Sequence, residues 1–284
     1  MSNLSLRILS AFFLIPLVLL LIFYSGEIFF LSFISFLSAL AGFEFSSFTL
    51  NPSMKSRSYS VAFLSFLICA SISFSNFFPW APLVVLPLSV ILSFLFFIFA
   101  KGDLSDATRS FSFSTTGSFY CGTLIGFIGL LFSSHDTGSF WVFTLVCSAF
   151  MGDTFAFVFG KLFGRRKLYI RLSPGKTWAG AFGGFFGTFF SLFFCKLYLL
   201  NELSFFDIFF LSFPLSLSFQ LGDLSESFLK RGLGIKDSGR LIPGHGGLLD
   251  RIDALMFGAP VIFFYSVCNI SDGCQIGRLI VPLN

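Results

Sequence analysis

Charged residues are scarce in this chain of 284 residues. Asp, Glu, Lys and Arg make up only 11% of it and 55% is hydrophobic, whereas soluble domains carry about 25% charged residues. The mean hydropathy is +0.90. This composition excludes an ordinary soluble domain and predicts an all-α polytopic membrane protein. The net charge of +4 indicates no nucleic-acid surface, because the basic residues are not gathered on one soluble face.

Signals for metal clusters, linkers and repeats are also missing. The six cysteines form no C-x-x-C pair and most lie in apolar runs, so we interpret them as small buried hydrophobic residues. We find no soluble domain, low-complexity linker or internal repeat. The apolar run from Ile8 to Phe23 has no small-residue cleavage site before Glu27, so we interpret it as a retained first span rather than a signal peptide.

Nine apolar segments approach the length of about 20 residues that a transmembrane helix needs. The predicted spans are residues 8–24, 28–48, 60–78, 80–100, 117–133, 139–160, 177–200, 205–222 and 252–270. With a cytoplasmic N-terminus, every Lys and Arg except Lys196 and Arg278 falls on the inside, as the positive-inside rule requires. We predict two parts: N-terminal transmembrane helices (1–135) and a C-terminal transmembrane catalytic region (136–284) with a polar signature at 222–253. The seventh span has two G-x-x-x-G spacings, which favour packing within the chain over a homodimer contact.

The remaining charge is concentrated in residues 222–253, which hold five of the 14 acidic residues. A membrane protein that gathers its charge in one segment is expected to do its chemistry there. If the preceding helix continues through this segment, Asp223 and Ser227 share one face at i, i+4 spacing. Glycines then end that helix, and Asp250 and Asp253 open the last helix at i, i+3 spacing.

Acidic residues inside spans are the clearest functional candidates, because each charge costs roughly 2.5–3.5 kcal/mol at the centre of a span. Four lie within predicted spans or at their ends: Glu44, Asp153, Asp223 and Glu226. Asp153 and Asp223 each follow a glycine, which lets the backbone approach a ligand, and we favour a functional role for both. For Glu44 we favour a buried structural role.

The residue types of the charged segment suit phosphate chemistry. Carboxylates bind hard divalent cations, and Lys, Arg and backbone N–H groups bind phosphates, so the segment predicts a site for metal-bridged phosphates. The loop at 161–176 adds six basic residues and no acid, which suits an anionic lipid headgroup or a nucleotide triphosphate. Its Gly175-Lys176-Thr177 triplet does not complete a P-loop, because Ile170 stands where the first glycine is needed.

Two runs in the charged segment resemble a known signature. They are Ser227-x-x-Lys230-Arg231-x4-Lys236-Asp237 and Pro243-Gly-His245-Gly-Gly-x-x-Asp250-Arg251-x-Asp253. This signature resembles that of phosphatidate cytidylyltransferases, or CDP-diacylglycerol synthases. The upstream segments DTFAFVFGKLFG and SPGKTWAGAFGG are also similar to that family, so the resemblance covers about residues 150–260. Gly175 and Ala179 depart from the family, which usually has Lys and Glu at these positions.

The resemblance implies a nucleotidyltransferase of phospholipid biosynthesis that converts CTP and phosphatidate to CDP-diacylglycerol and pyrophosphate. It implies a requirement for Mg²⁺, with K⁺ as a second cation described for family members. We expect a multi-pass protein of a bacterial inner membrane that works among membrane lipids at the cytoplasmic face. The expected metal ligands are Asp223, Asp250 and Asp253. The expected catalytic residues are Ser227, Lys230, Arg231, Lys236, Asp237, His245 and Arg251. The expected substrate-binding residues are Asp153, Lys161, Ser173, Lys176 and Thr177.

Two alternatives stay open at this point. One is another CTP-dependent lipid enzyme, such as a polyprenol kinase or an ether-lipid cytidylyltransferase, which the apolar spans do not distinguish. The other is an ion-coupled transporter, which predicts broken helices in paired halves. A headgroup transferase that consumes CDP-diacylglycerol is disfavoured, because its D-G-x-x-A-R run is absent.

Overall fold

The structure, a computed structural model, describes residues 3–100, 103–201, 203–239 and 246–268. These residues form nine α-helices, one short 3₁₀ helix and one β-hairpin, which confirms the predicted all-α class. The helices are α1 (Asn3–Tyr24), α2 (Glu27–Thr49), α3 (Ser58–Ser73), α4 (Ala81–Ile98), α5 (Leu104–Ser133), α6 (Gly138–Phe163), α7 (Trp178–Tyr198), α8 (Phe205–Gly232) and α9 (Leu249–Val267). The 3₁₀ helix is Pro52–Arg57, and the hairpin pairs β1 (Lys167–Tyr169) with β2 (Ser173–Thr177).

Seven of the described helices are long and apolar enough to cross a membrane. They are α2 to α8, with the end of the 3₁₀ helix joined to α3. Their outward surfaces carry many large apolar side chains, which suit a lipid environment and would be unfavourable in water. The chain is therefore a multi-pass membrane protein.

The largest departures from the predicted spans and loops are in α5, in α8 and in the segment before α7. Helix α5 begins at Leu104, well before the predicted start at 117, because its first three turns are rich in Ser and Thr and do not read as an apolar span. Helix α8 continues to Gly232, which confirms the conditional prediction that the helix runs on into the charged segment. The hairpin lies in a segment predicted to be loop, because strands this short leave no readable alternation.

The described chain divides into two compact units. The first contains the residues up to Ser134 together with those of 237–251. Its core is the packing of α2, α3 and α5, where glycines let the helices approach closely. A Cβ atom at Gly122 of α5 would lie 2.7 Å from the Cβ of Ile68 in α3. Such a contact leaves no room for a side chain.

The second unit contains the described residues of 135–236 and 252–268. Helix α7 packs along α6 through its G-x-x-x-G glycines. A Cβ atom at Gly183 would lie 2.7 Å from the carbonyl oxygen of Phe155. The predicted packing of these glycines within the chain is therefore confirmed.

Candidate active site

A cavity of about 530 Å³ lies inside the second unit. Its walls come from α6, the hairpin, the first turn of α7 and the middle of α8. Its volume lies within the usual range of small-molecule sites. The lining residues are Asp153, Ala156, Phe157, Gly160, Lys161, Leu168, Ser173, Gly175, Lys176, Thr177, Gly180, Ala181, Phe219, Gln220 and Asp223.

All the residues predicted to bind substrate line this one cavity. It also contains one of the three predicted metal ligands. The residues concerned are Asp153, Lys161, Ser173, Lys176, Thr177 and Asp223. Three elements, α6, β2 and α8, supply them, so the fold gathers cationic and anionic groups that are distant in sequence. Their roles remain predictions, and their common location is a structural fact.

An ion pair joins the hairpin to α8 across the cavity. The Nζ of Lys176 lies 2.7 Å from Oδ2 of Asp223, and the two side chains are 22% and 45% exposed. Pairing of β1 with β2 places Lys176 here, because the hairpin folds the chain back just before α7 begins. Both charges remain accessible, and a partly exposed pair of this kind contributes little to stability. Little stability is therefore lost if the pair separates and each side chain contacts a ligand instead.

The N-terminus of α7 forms another part of the wall. Thr177 is its N-cap: the Thr177 Oγ1 accepts a hydrogen bond of 3.1 Å from the backbone N–H of Gly180. The Thr177 side chain is buried, so its hydroxyl serves the helix. The backbone N–H of Trp178 is also paired, because it donates to the Arg166 carbonyl at 3.1 Å. The positive end of the helix dipole still favours an anion nearby. This wall therefore suits a phosphate group.

Four carboxyl groups gather beside the cavity. Asp253 of α9 lies next to Glu226 of α8 and within electrostatic reach of Asp223 and Asp153. Glu226 is only 2% exposed, and its Oε1 lies 3.3 Å from the Nζ of Lys230 one helical turn later. Several like charges at close range repel one another. Lys176 and Lys230 offset part of this repulsion, because they pair with Asp223 and Glu226.

A close crossing of α8 and α9 brings these acids together. A Cβ atom at Gly222 would lie 3.0 Å from the carbonyl carbon of Asp253 and 3.2 Å from the Cα of Ala254. Only glycine leaves room for the α9 backbone at this point. Because Gly222 directly precedes Asp223, the crossing places the Asp223 and Asp253 backbones close to each other.

The acidic cluster suits Mg²⁺ in one particular way. Among the described residues, no three or more His, Cys, Asp or Glu side chains are arranged to hold a metal ion by themselves. Mg²⁺, however, commonly takes one or two carboxylates and completes its shell with water and substrate phosphates. Asp223 provides such a hard oxygen donor on the cavity wall, and Asp253 provides another close to Asp223. The donor set therefore fits an ion that arrives with a polyphosphate.

Asp250, the third predicted metal ligand, lies in the first unit. Its Oδ2 accepts hydrogen bonds from the backbone N–H of Ser238, at 3.2 Å, and of Gly247, at 3.0 Å. Gly246 has a φ of +88°, a left-handed conformation that favours glycine. Asp250 thus holds together the two described ends of the loop between α8 and α9 (233–248), which we call the signature loop.

The other predicted catalytic residues lie along the end of α8 and in the signature loop. Ser227 and Lys230 are half-buried, and Arg231 is exposed and donates from Nη1 to the Ile235 carbonyl at 3.3 Å. Lys236 and Asp237 are exposed, as is Arg251 on α9. His245 lies outside the described residues.

The sequence comparison decides the family. The model of the cytidylyltransferase family matches residues 5–269. The chain belongs to this family. The match includes every helix that forms the cavity and the whole signature loop, so this cytidylyltransferase-family chain carries the family pattern across both units.

Curated relatives carry a more specific name. A phosphatidate cytidylyltransferase of Staphylococcus saprophyticus is 34% identical over 154 residues, and one of Staphylococcus epidermidis is 32% identical over the same length. Each of these alignments covers 53% of this chain and 59% of the relative. A phosphatidate cytidylyltransferase of Staphylococcus aureus is 32% identical over 187 residues, which are 65% of this chain and 70% of that protein. The alignments with the first two relatives thus span less than two thirds of their length.

This member of the cytidylyltransferase family departs from the usual pattern at a site with free space. Gly175 lies in β2 on the cavity wall, and a Cβ atom there would meet nothing within 4 Å. With Gly175 in place of the usual Lys, the wall has one cation fewer than the family pattern. The substitution leaves no gap in the packing. Ala179 lies in the first turn of α7 and is half-buried.

The sequence prediction gives no role to Glu226 and Gln220, and it gives only a structural role to Glu44 of the first unit. The sequence marks Glu226 only as an acid near a span, although it lies next to Asp253 in the acidic cluster. Gln220 lines the cavity and donates from Nε2 to the Ala181 carbonyl at 3.2 Å, which ties α8 to α7. Glu44 was interpreted as structural, and it binds the signature loop. The signal available for Glu44 is an acid near the end of an apolar span.

Proposed function

We propose that this chain transfers the cytidylyl group of CTP to phosphatidate, forming CDP-diacylglycerol and pyrophosphate. The observation that carries the proposal is the single cavity that combines Lys161, Lys176, Asp153 and Asp223. Family membership and the names of the relatives support the same activity. The proposed acceptor is a membrane lipid, which agrees with a cavity inside a helical membrane unit.

The chemistry is a phosphoryl-centre substitution with no covalent enzyme intermediate. An oxygen of the phosphatidate phosphate attacks the α-phosphorus of CTP, and the bond from that phosphorus to the bridging oxygen of the β-phosphate breaks. Pyrophosphate leaves with the bonding electron pair. The nucleophile is already ionised at neutral pH, so no general base is needed, and His245 is expected to contact phosphate or anchor the loop. Such a reaction depends on positioning and charge neutralisation.

The cavity walls suit these two tasks. Lys161 and Lys176 would neutralise triphosphate oxygens, and the positive end of the α7 dipole would favour a phosphate beside it. The apolar part of the wall, with Phe157 and Phe219, would exclude water from the reacting phosphates. The Lys176–Asp223 pair would open as the nucleotide binds, so that each partner gains a substrate or cation contact.

Asp223 and Asp253 are the proposed carboxylate ligands for Mg²⁺, with Asp250 predicted as a further ligand from the sequence. Mg²⁺, when bound, neutralises charge on the triphosphate and on the departing pyrophosphate. K⁺ as a second cation remains a prediction, and a homodimer remains an open alternative. We further propose a cytoplasmic N-terminus in a bacterial inner membrane, which places the hairpin and the signature loop where CTP is available.

The test is release of pyrophosphate by the purified full-length chain in detergent. We expect turnover only when CTP, phosphatidate and Mg²⁺ are all present. Asp223→Asn should reduce kcat by on the order of 100-fold, because it removes a charge that acts on the reacting phosphates. Asp103→Asn is the matched control, since Asp103 is exposed and precedes α5 in the first unit.

Two results would contradict the proposal. Turnover with a polyprenol or an ether lipid but not with phosphatidate would replace the acceptor. Full activity of Asp223→Asn would remove this cavity as the reaction site.

A further inference from the structure

Glu44 occupies a position where a charge is costly. It lies in α2, a helix apolar enough to cross a membrane, and it is only 2% exposed. The only other acid of α2 is Glu27, which is exposed in the first turn. A buried carboxylate is tolerated only when hydrogen bonds replace its lost water. The hydrogen-bond partners of the Glu44 carboxylate therefore indicate its structural role.

Every hydrogen bond recorded for the Glu44 side chain comes from the signature loop or the first residue of α9. The backbone N–H of Leu248 donates to Oε2 at 2.8 Å, and that of Leu249 donates to Oε1 at 3.3 Å. The hydroxyl of Ser238 also donates to Oε1. The carboxylate thus satisfies N–H groups at the start of α9 that have no partner within the helix. All these residues belong to the first unit.

Two glycines of the signature loop make room for this carboxylate. A Cβ atom at Gly239 would lie 3.0 Å from the Cδ of Glu44, and one at Gly247 would lie 2.9 Å from the same atom. Gly247 belongs to the Gly-His-Gly-Gly run of the signature. The close approach of Glu44 therefore explains why a side chain cannot be accepted there.

The loop is held by two carboxylates at the same two points. Asp250 accepts hydrogen bonds from the backbone N–H groups of Ser238 and Gly247. Glu44 accepts one from the Ser238 hydroxyl and two from the backbone N–H groups of Leu248 and Leu249, which directly follow Gly247. Glu44 thus fixes the turn from which Asp250 projects. It reaches the loop from a helix about 200 residues earlier in the chain.

We propose that Glu44 is a positioning residue for the signature loop, acting through Ser238 and the start of α9 to hold Asp250 in place. Its effect on catalysis rests on the proposed function, whereas its hold on the loop does not. Gln cannot replace it, because only one of its two terminal atoms accepts hydrogen bonds and the amide N–H₂ would face the loop donors. Glu44 touches neither the cavity nor any substrate group in this account.

The experiment compares Glu44→Gln, Ser238→Ala and the double variant with the wild-type full-length protein in detergent. Glu27→Gln is the matched control, because it makes the same chemical change at the exposed end of the same helix. Two readouts are taken: hydrogen exchange of the peptide covering 246–251, and kcat with KM for CTP.

Glu44→Gln is expected to speed exchange at 246–251 and to leave the peptides of α3 and α5 unchanged. Its kcat should fall by about 10- to 100-fold, the usual cost of losing a group that orients a ligand, with KM for CTP little altered. The double variant should be no worse than Glu44→Gln alone, because both changes break one interaction. Glu27→Gln should match the wild type.

Three outcomes would overturn the proposal. These are unchanged exchange at 246–251 in Glu44→Gln, faster exchange throughout the first unit, and additive losses in the double variant. An inactive wild-type protein would reject the proposed function alone, because exchange at 246–251 still decides whether Glu44 holds the loop.

Discussion

Lys176 is the residue whose environment most directly links the cavity to a nucleotide. Its ammonium group lies on the cavity wall, paired with Asp223 at 2.7 Å and still partly exposed. Lys161 is the other cation of the wall, and Gly175 supplies none. With so few cations facing the cavity, the loss of either should be felt in binding of a triphosphate.

We predict that Lys176→Gln raises KM for CTP by about tenfold and changes kcat much less. The ammonium contacts the ground-state triphosphate as well as the transition state, and loss of such uniform binding appears in KM. Steady-state kinetics with varied CTP at saturating phosphatidate measures the effect.

The matched control is Lys167→Gln. Lys167 lies in β1 of the same hairpin, is exposed and is not on the cavity wall. Equal effects of the two substitutions would show that the loop acts only through its general positive charge, and would contradict the assigned role of Lys176.

At this scale the sequence identifies residue types better than their partners. Asp153, Lys161, Lys176 and Asp223 were selected from sequence, and the fold brings them to one cavity. Glu44 was not selected, because its partners lie about 200 residues away and no local spacing encodes that contact. The backbone contacts of Asp250 were equally invisible, since they depend on a turn whose shape the sequence does not specify.

The crossing of α8 and α9 is the structural element on which the acidic cluster depends. Gly222 allows the α9 backbone to approach α8 at the level of Asp253. One turn later on α8, Glu226 lies beside Asp253. The position of the acids therefore depends on the absence of a single side chain.

We predict that Gly222→Ala destabilises the protein by about 1–3 kcal/mol, the usual cost of overpacking. The added Cβ would lie 3.0 Å from the carbonyl carbon of Asp253, so α9 must move and carry its acid with it. The apparent melting temperature in detergent should fall, and pyrophosphate release should fall more than the loss of folded protein explains.

Gly232→Ala provides the comparison. Gly232 is the last residue of α8, and a Cβ atom there would meet nothing within 4 Å. Unchanged stability and turnover are expected for it. If Gly222→Ala has the melting temperature and activity of the wild type, a Cβ atom fits between α8 and α9. That result would contradict the claim that the acidic cluster depends on their close approach.

The sequence predicts the elements that have a clear hydropathy pattern and misses those that do not. Helices with apolar faces were located to within a few residues, and the extension of α8 followed from its i, i+4 pattern. The polar start of α5 was missed because hydropathy does not distinguish a Ser-rich helix from a loop. The hairpin was missed because three- and five-residue strands provide too little pattern.

For the molecule as a whole, composition is enough to predict the class. A chain with 11% charged residues must bury its helices in lipid or in one another. The two predicted parts, 1–135 and 136–284, do not include the return of residues 237–251 to the first compact unit, which comes from far along the chain. That return brings the signature loop to Glu44, and only the folded chain reveals it.

The most direct test of the central claim is the fate of the CTP phosphates in the complete protein. The purified chain is given phosphatidate and Mg²⁺ with CTP labelled either at the α- or at the γ-phosphorus. Cytidylyl transfer predicts that the α-label enters the lipid and the γ-label leaves in pyrophosphate. Entry of the γ-label into the lipid would mean that the chain is a kinase, and absence of both labels from the lipid would contradict the proposed reaction.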